Sequence, residues 1–167
     1  MSPEELAGRL RERFGDVLVA RGEVTVLVSP ADVPTALAFL RDDPDLSFDS
    51  LRCVTATHHP GSVPPIWVVY EMRSTANSHR VRVKAGLDRD VAPHLPSVTA
   101  AFPTANWQER EVFDFYGVVF DGHPDLTRIL MPDAWEGHPL LKTEELGGVD
   151  TRFHGAFIPP VDRRTTT

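Results

Sequence analysis

The hydrophobic positions change period along the chain, and the changes mark out its elements. Leu6, Leu10 and Phe14 recur at four-residue spacing behind Ser2-Pro3-Glu4-Glu5. A capping serine, a proline at the first helical position and acids in the first turn all favour a helix start. The spacing therefore predicts an amphipathic helix that Gly15 stops. Glu23 to Val28 then alternates in β-branched fashion as a strand, and Ser29-Pro30-Ala31-Asp32 opens a second helix carrying Val33, Leu37 and Leu40. Leu51–Thr57, Ile66–Met72 and His79–Ala85 read as further strands. The connections between them hold Pro60-Gly61, Pro64-Pro65 and Asn77-Ser78, so neighbouring strands are expected to form hairpins. Leu95 to Phe102 reads as the start of another helix with Ser97 as its cap, and Trp107 to Tyr116 as a short charged helix.

One strand, a helix and then a run of strands predict an α+β fold: a two-layer domain with helices on one face of a mostly antiparallel sheet. This domain is expected to span residues 1–120. From Asp121 onward regular periodicity fails, and Gly and Pro recur every few positions. Leu126, Ile129, Leu130, Met131, Trp135, Phe153, Phe157 and Ile158 are nevertheless interspersed. A disordered tail is poor in such residues, because it cannot recover the entropy of ordering by burial. Residues 121–167 are therefore expected to be an extended arm ordered against a surface, either its own domain or another chain. Arg163 to Thr167 reads as frayed.

Composition narrows the function classes. The chain has 167 residues, 41% hydrophobic and 25% charged, which suits one ordinary globular domain. Its net charge of −7 repels phosphate backbones, and no basic run carries interleaved aromatics, so nucleic acid is not an expected partner. Arg80, Arg82 and Lys84 alternate in the strand manner and are expected to face solvent along one side of a sheet. Cys53 is the single cysteine. It excludes an internal disulfide and a cysteine-ligated iron–sulfur cluster, which takes about four thiolates. The longest apolar stretches, such as Ile66 to Tyr70, fall far short of the ~20 residues that span a bilayer. The acidic N-terminus lacks the features of a secretory signal.

Candidate chemistry concentrates between Asn106 and Pro139. A step of 100° per residue places Trp107, Arg110, Glu111 and Asp114 on one helix face, with Val112, Phe113 and Tyr116 roughly opposite. Arg110, Glu111 and Asp114 then read as an exposed ion-pair cluster. Glu109 falls among the apolar trio and needs a partner; Arg128 is the first candidate and His123 the second. His58, His59, His123 and His138 raise the alternative of an independent metal hydrolase. They lack i,i+4 spacing and a completing Cys or carboxylate set. The two Gly-His-Pro units, at His123-Pro124 and His138-Pro139, are better explained as turns in which the ring bonds backbone groups. Neither a nucleotide cradle nor a nucleophile motif is present.

Glu109-Arg110-Glu111, Asp114-Phe115-Tyr116-Gly117, Phe120, Gly122-His123-Pro124-Asp125-Leu126, Arg128-Ile129-Leu130-Met131-Pro132-Asp133 and Trp135-Glu136-Gly137-His138-Pro139 stand in this order. Together they closely resemble the signature of the 30-kDa subunit family of NADH-quinone oxidoreductase, respiratory complex I. Leu146-Gly147-Gly148-Val149, His154-Gly155-Ala156 and Ile158-Pro159-Pro160 look like the extended arm of its bacterial members. After His138-Pro139-Leu140 the family commonly continues with two basic residues, an acid, an aromatic and a proline. Here stand Leu141-Lys142-Thr143-Glu144-Glu145.

The resemblance implies a non-catalytic subunit of the hydrophilic arm. It would hold no cofactor of its own and pack on the large subunit that shapes the quinone pocket and on the small iron–sulfur subunit. FMN, iron–sulfur clusters and quinone would belong to other subunits, and the chain would sit at the cytoplasmic side of the cell membrane through them. The resemblance further implies that Leu130, Trp135 and Phe157 are apolar anchors, with Arg128 and His138 pairing across the contact. The homologous subunit of a membrane-bound hydrogenase, or of another electron-donor version of the complex, shares this motif and is the alternative.

Overall fold

A computed structural model describes residues 1–88 and 93–144. Strands β1 (Val17–Ala20), β2 (Glu23–Val28), β3 (Ser50–His58), β4 (Ile66–Arg73) and β5 (Arg80–Leu87) form one sheet in the order β1-β2-β5-β4-β3. All neighbours are antiparallel except β2 and β5. The parallel pair arises because helix α2 (Val33–Asp42), β3 and β4 are inserted between β2 and β5 in sequence. The expected α+β fold and the hairpins β3–β4 and β4–β5 are present.

The sheet has one apolar face. Val24 and Val26 of β2, Val81, Val83 and Ala85 of β5, Val68, Tyr70 and Met72 of β4, and Val54 and Ala56 of β3 are all buried. They share a core with Leu6 and Leu10 of helix α1 (Pro3–Phe14), with Leu37 and Leu40 of α2, and with Val112 of helix α3 (Ala105–Tyr116). Arg80, Arg82 and Lys84 lie on the opposite side of β5, as their alternation predicts. At the start of α1, the Ser2 hydroxyl accepts from the Glu5 N–H while the Glu5 carboxylate accepts from the Ser2 N–H, a reciprocal cap.

Two elements differ from expectation. Strand β1 carries too short an alternation to be distinctive, and it forms because the turn at Arg21-Gly22 folds Val17–Ala20 back onto β2. Leu95–Phe102 is not a helix: His94–Pro96 is strand β6, paired in parallel with β7 (Val119–Asp121). The Ser97 hydroxyl is used by Glu109 and Thr99, and its N–H donates to the Asp121 carbonyl. The helix that follows starts at Ala105.

The expected boundary at residue 120 falls inside β7. Beyond it, as far as Glu144, the chain folds back on its own domain: Leu126 packs against the core and Leu141 enters it at 8% exposure. Of the two surfaces the sequence allows for the arm, these residues use the domain's own. Phe157 and the rest of the arm's distal motifs lie outside the described residues.

Candidate functional site

Helix α3 holds the sheet edge, the core and the arm together. Its Gln108 side-chain oxygen accepts the Val54 N–H, a backbone donor on the outer edge of β3 that, among the described residues, no strand covers. Gly117 ends the helix at φ 73°, and its N–H returns to the Phe113 carbonyl. A side chain at Gly117 would also collide with the ring of His138, whose Cδ2 would lie 2.6 Å from the added carbon. The glycine thus supplies both the left-handed cap and the room for the arm's histidine.

Two carboxylates of this helix are fully buried, Glu109 and Asp114. Glu109 accepts from the Ser97 hydroxyl at 2.6 Å and from the Val98 N–H at 2.8 Å. Burial pushes its acid strength down, raising the pKa above the ordinary value, while the two hydrogen bonds pull the other way. The expected pairing with Arg128 does not occur, because Arg128 lies against Asp114. The second candidate, His123, stands with Nε2 4.0 Å from the carboxylate. That nitrogen is closer to the Asn106 carbonyl, at 3.1 Å, and Nδ1 accepts the Asp125 N–H.

Asp114 is the centre of the site. Its carboxylate accepts from Arg128 Nη1 at 2.7 Å and from three successive backbone N–H groups, Ile129 at 3.1 Å, Leu130 at 2.8 Å and Met131 at 2.9 Å. Burial raises its pKa, but the donors outweigh this and hold the carboxyl at about 2. The exposed ion-pair cluster expected from helical spacing is therefore absent at this residue: Asp114 turns inward and is covered by the arm. Arg110 stacks over Trp107 at 4.8 Å and donates to the Thr127 carbonyl at 3.0 Å and hydroxyl at 2.7 Å. Glu111 stays exposed.

The arm is closed by its second turn. Arg128 Nη2 donates to the Gly137 carbonyl at 3.0 Å, and Gly137 adopts φ 81°. His138 Nδ1 lies 3.0 Å from the Asp114 carbonyl oxygen, and its ring meets the edge of Phe113. Both Gly-His-Pro rings thus bond backbone groups, as the turn reading expects. Arg128 and His138 are engaged within the chain, where the resemblance implied pairing across a contact. The divergent stretch after Pro139 has a local role: Leu141 fills the core and the Lys142 N–H donates to His58 Nδ1 at 2.9 Å.

Folding the arm over Asp114 leaves large apolar side chains outside. Trp107 is 64% exposed, Leu130 59%, Trp135 46% and Leu140 40%. Pro124, Pro132 and Pro139 mark the turns of the same segment, and the Pro132 carbonyl accepts the Trp135 N–H. Sequence reasoning missed Ser97 as the partner of Glu109 and Gln108 as the edge cap. It misplaced Asp114, because the groups that cover it come from the arm, at Arg128 to Met131, and leave no local signal on the helix. Both buried carboxylates are sealed from solvent and bonded through each oxygen, Glu109 to two donors and Asp114 to four, which suits holding backbone in place. Among the described residues, no group of three His, Cys, Asp or Glu side chains is arranged to hold a metal ion.

The model of the respiratory-chain NADH dehydrogenase 30 Kd subunit family matches residues 26–150. The NADH-quinone oxidoreductase C subunit of Mycolicibacterium smegmatis is 44% identical over 149 residues, covering 89% of this chain and 62% of that protein. Its counterpart in Salinispora tropica is 45% identical over 169 residues, covering 96% of this chain and 69% of that protein. The chain thus spans about two thirds of the length of these relatives. Among solved structures, a chain of the membrane-bound sulfane sulfur reductase, an archaeal respiratory membrane complex, superposes with a TM-score of 0.60 at 26% identity. That match covers 72% of this chain and 71% of the other.

Proposed function

Because the chain belongs to the respiratory-chain NADH dehydrogenase 30 Kd subunit family, we propose that it is a non-catalytic assembly subunit in the peripheral arm of a proton-translocating NADH-quinone oxidoreductase. It packs on the large subunit that forms the quinone pocket and on the small iron–sulfur subunit. FMN, iron–sulfur clusters and quinone are held by those and other subunits. The chain reaches the cytoplasmic face of the membrane through its partners; no helix among the described residues is long and apolar enough to cross one.

The observation that supports this reading best is the Asp114 lock. A buried carboxylate spends its hydrogen bonds on three consecutive arm N–H groups and thereby presents Leu130 and Trp135 outward on a fixed backbone. Rigid exposed aromatic and aliphatic anchors are what a protein interface uses for affinity. Asp114 itself has no surface with which to touch a substrate. The test is affinity purification of the tagged chain carrying L130D from its native membrane. Loss of the partner subunits with the chain still folded is expected. Retention of all partners, with turnover lowered instead, would contradict it.

A second reading has a specific observation behind it. The likeness to a chain of the sulfane sulfur reductase complex favours service in a related membrane-bound complex with another electron donor, such as a hydrogenase. Co-purification of flavin subunits that oxidise NADH distinguishes the two.

A further inference from the structure

The sheet face turned away from the helices carries an arginine cleft at the end of β3, β4 and β5. A cavity of about 510 Å³ is lined there by Arg52, Glu71, Met72, Arg73, Ser78 and Arg80. Arg73 and Arg80 are directly opposite in the antiparallel register. Like charges in that relation weaken a strand pair, and an anion seated between them would relieve the repulsion. Arg52 joins them through a local irregularity: the β3–β4 register shifts between Leu51 and Cys53, so that Leu51 stays in the core while Arg52 is exposed. Bulges of this kind re-aim a side chain and are over-represented beside functional sites.

Among the described residues, none of these three guanidiniums has an ion pair, in a chain whose net charge is −7. The one carboxylate in the wall, Glu71, is already bonded to Arg82, which also reaches Glu23 at 3.0 Å. The cleft is therefore left with uncompensated positive charge. Ser78, held at φ 56°, lines it as well.

We propose that this cleft binds a small soluble anion carrying linked phosphates. Arginine forks match phosphate oxygens in bidentate fashion. Three forks offer more donors than the two oxygens of one carboxylate can accept, whereas a diphosphate has oxygens for all of them. The volume falls within the ~300–1,000 Å³ of small-ligand sites. The cleft lies at the Arg73–Arg80 end of β4 and β5, whereas the arm's Lys142 meets the sheet at His58, which pairs with Ile66 at the other end of β4, so the site is separate from that contact.

The probe is inorganic pyrophosphate, titrated calorimetrically into the full chain. Saturable one-to-one binding that weakens with added salt is expected, and R73E and R80E should each weaken it by about tenfold or more. The control R21E, in the β1–β2 turn, should bind as the parent does. R73E places a carboxylate opposite Arg80, so its melting temperature without pyrophosphate should be no lower than that of the parent, which separates lost binding from lost folding. Absence of saturable binding to the parent chain overturns the proposal, as does unchanged affinity in both R73E and R80E, or an equal loss in R21E. Recruitment to phosphatidylcholine vesicles doped with phosphatidic acid, without pyrophosphate binding, overturns it as well by assigning the cleft to a lipid surface.

Discussion

Asp114→Asn keeps the shape of the side chain and removes its charge. The carboxylate accepts four hydrogen bonds, one from Arg128 and three from the backbone of Ile129, Leu130 and Met131. An amide has one acceptor oxygen and turns an NH₂ group toward donors. Holding the carboxyl at about 2 against an ordinary 3.8 corresponds to roughly 2.5 kcal/mol of preferential stabilisation of the charged form. The Arg128 guanidinium, whose side chain is 17% exposed, then loses its counter-charge. Breaking one partner of a buried pair costs about 3 to 5 kcal/mol, and that is the expected loss for D114N. With a urea slope of ~1–3 kcal/mol per molar, the unfolding midpoint of the full chain should fall by about 2 M. Limited proteolysis should at the same time cut within residues 121–144. The sign with pH is also fixed. Because the folded pKa lies below the unfolded value, the contribution is fully present above about pH 4 and is lost as pH falls toward 2. D114N should lack this acid-dependent loss. A midpoint within about 0.5 M of the parent, with the arm still protected, would mean that the Asp114 charge does not hold the arm.

Glu109→Gln should fold at neutral pH with stability within about 1 kcal/mol of the parent, because its oxygen can still accept the Val98 N–H and its amide can donate to Ser97. Since the Glu109 pKa is raised, its stabilising contribution is largest below the ordinary value and declines as pH rises through the folded one. Stability curves of the two proteins should therefore move in favour of E109Q with increasing pH, and a parallel pair would contradict the burial argument. Gly117→Ala combines left-handed strain with a clash on His138. It should cost more than about 1 kcal/mol and expose the 121–144 segment to protease; an unchanged digestion pattern would show that the cap does not hold the arm. Leu141→Ala should cost about 2–4 kcal/mol in denaturant unfolding if the arm completes the core, whereas a loss under about 0.5 kcal/mol would mean that the domain closes without it.

The sheet was legible wherever strand alternation is long. β2 and β5 bury one parity of residues, β4 does so apart from Val69, and β3 does so from Val54 onward, past the irregularity that follows Leu51; that pattern is visible in the chain as period two. β1 was hidden because Val17–Ala20 is short and its register is set by a turn. Leu95–Phe102 misled because Ser97 looks like a helix cap, while its hydroxyl is taken by a glutamate on a later helix. The site was legible as a motif but not as a geometry. Helical spacing places Arg110 beside Asp114, and nothing local reveals that a segment about fifteen residues downstream delivers three N–H groups and a guanidinium to the aspartate. Long-range hydrogen bonding of this kind leaves no periodic trace. The turn chemistry of Gly122-His123-Pro124 and Gly137-His138-Pro139, by contrast, was readable because each ring bonds backbone that the turn itself brings near or that helix α3 presents.

In the proposed assembly α3 clamps the arm so that Leu130 and Trp135 face a neighbouring subunit. Subunit recovery from native membranes by the tagged parent chain and by the double variant L130D/W135D, with circular dichroism of each, decides whether they do. The parent should retain a quinone-pocket subunit and a small iron–sulfur subunit, while the double variant should be folded and alone. Equal recovery of both partners by the folded double variant would contradict it.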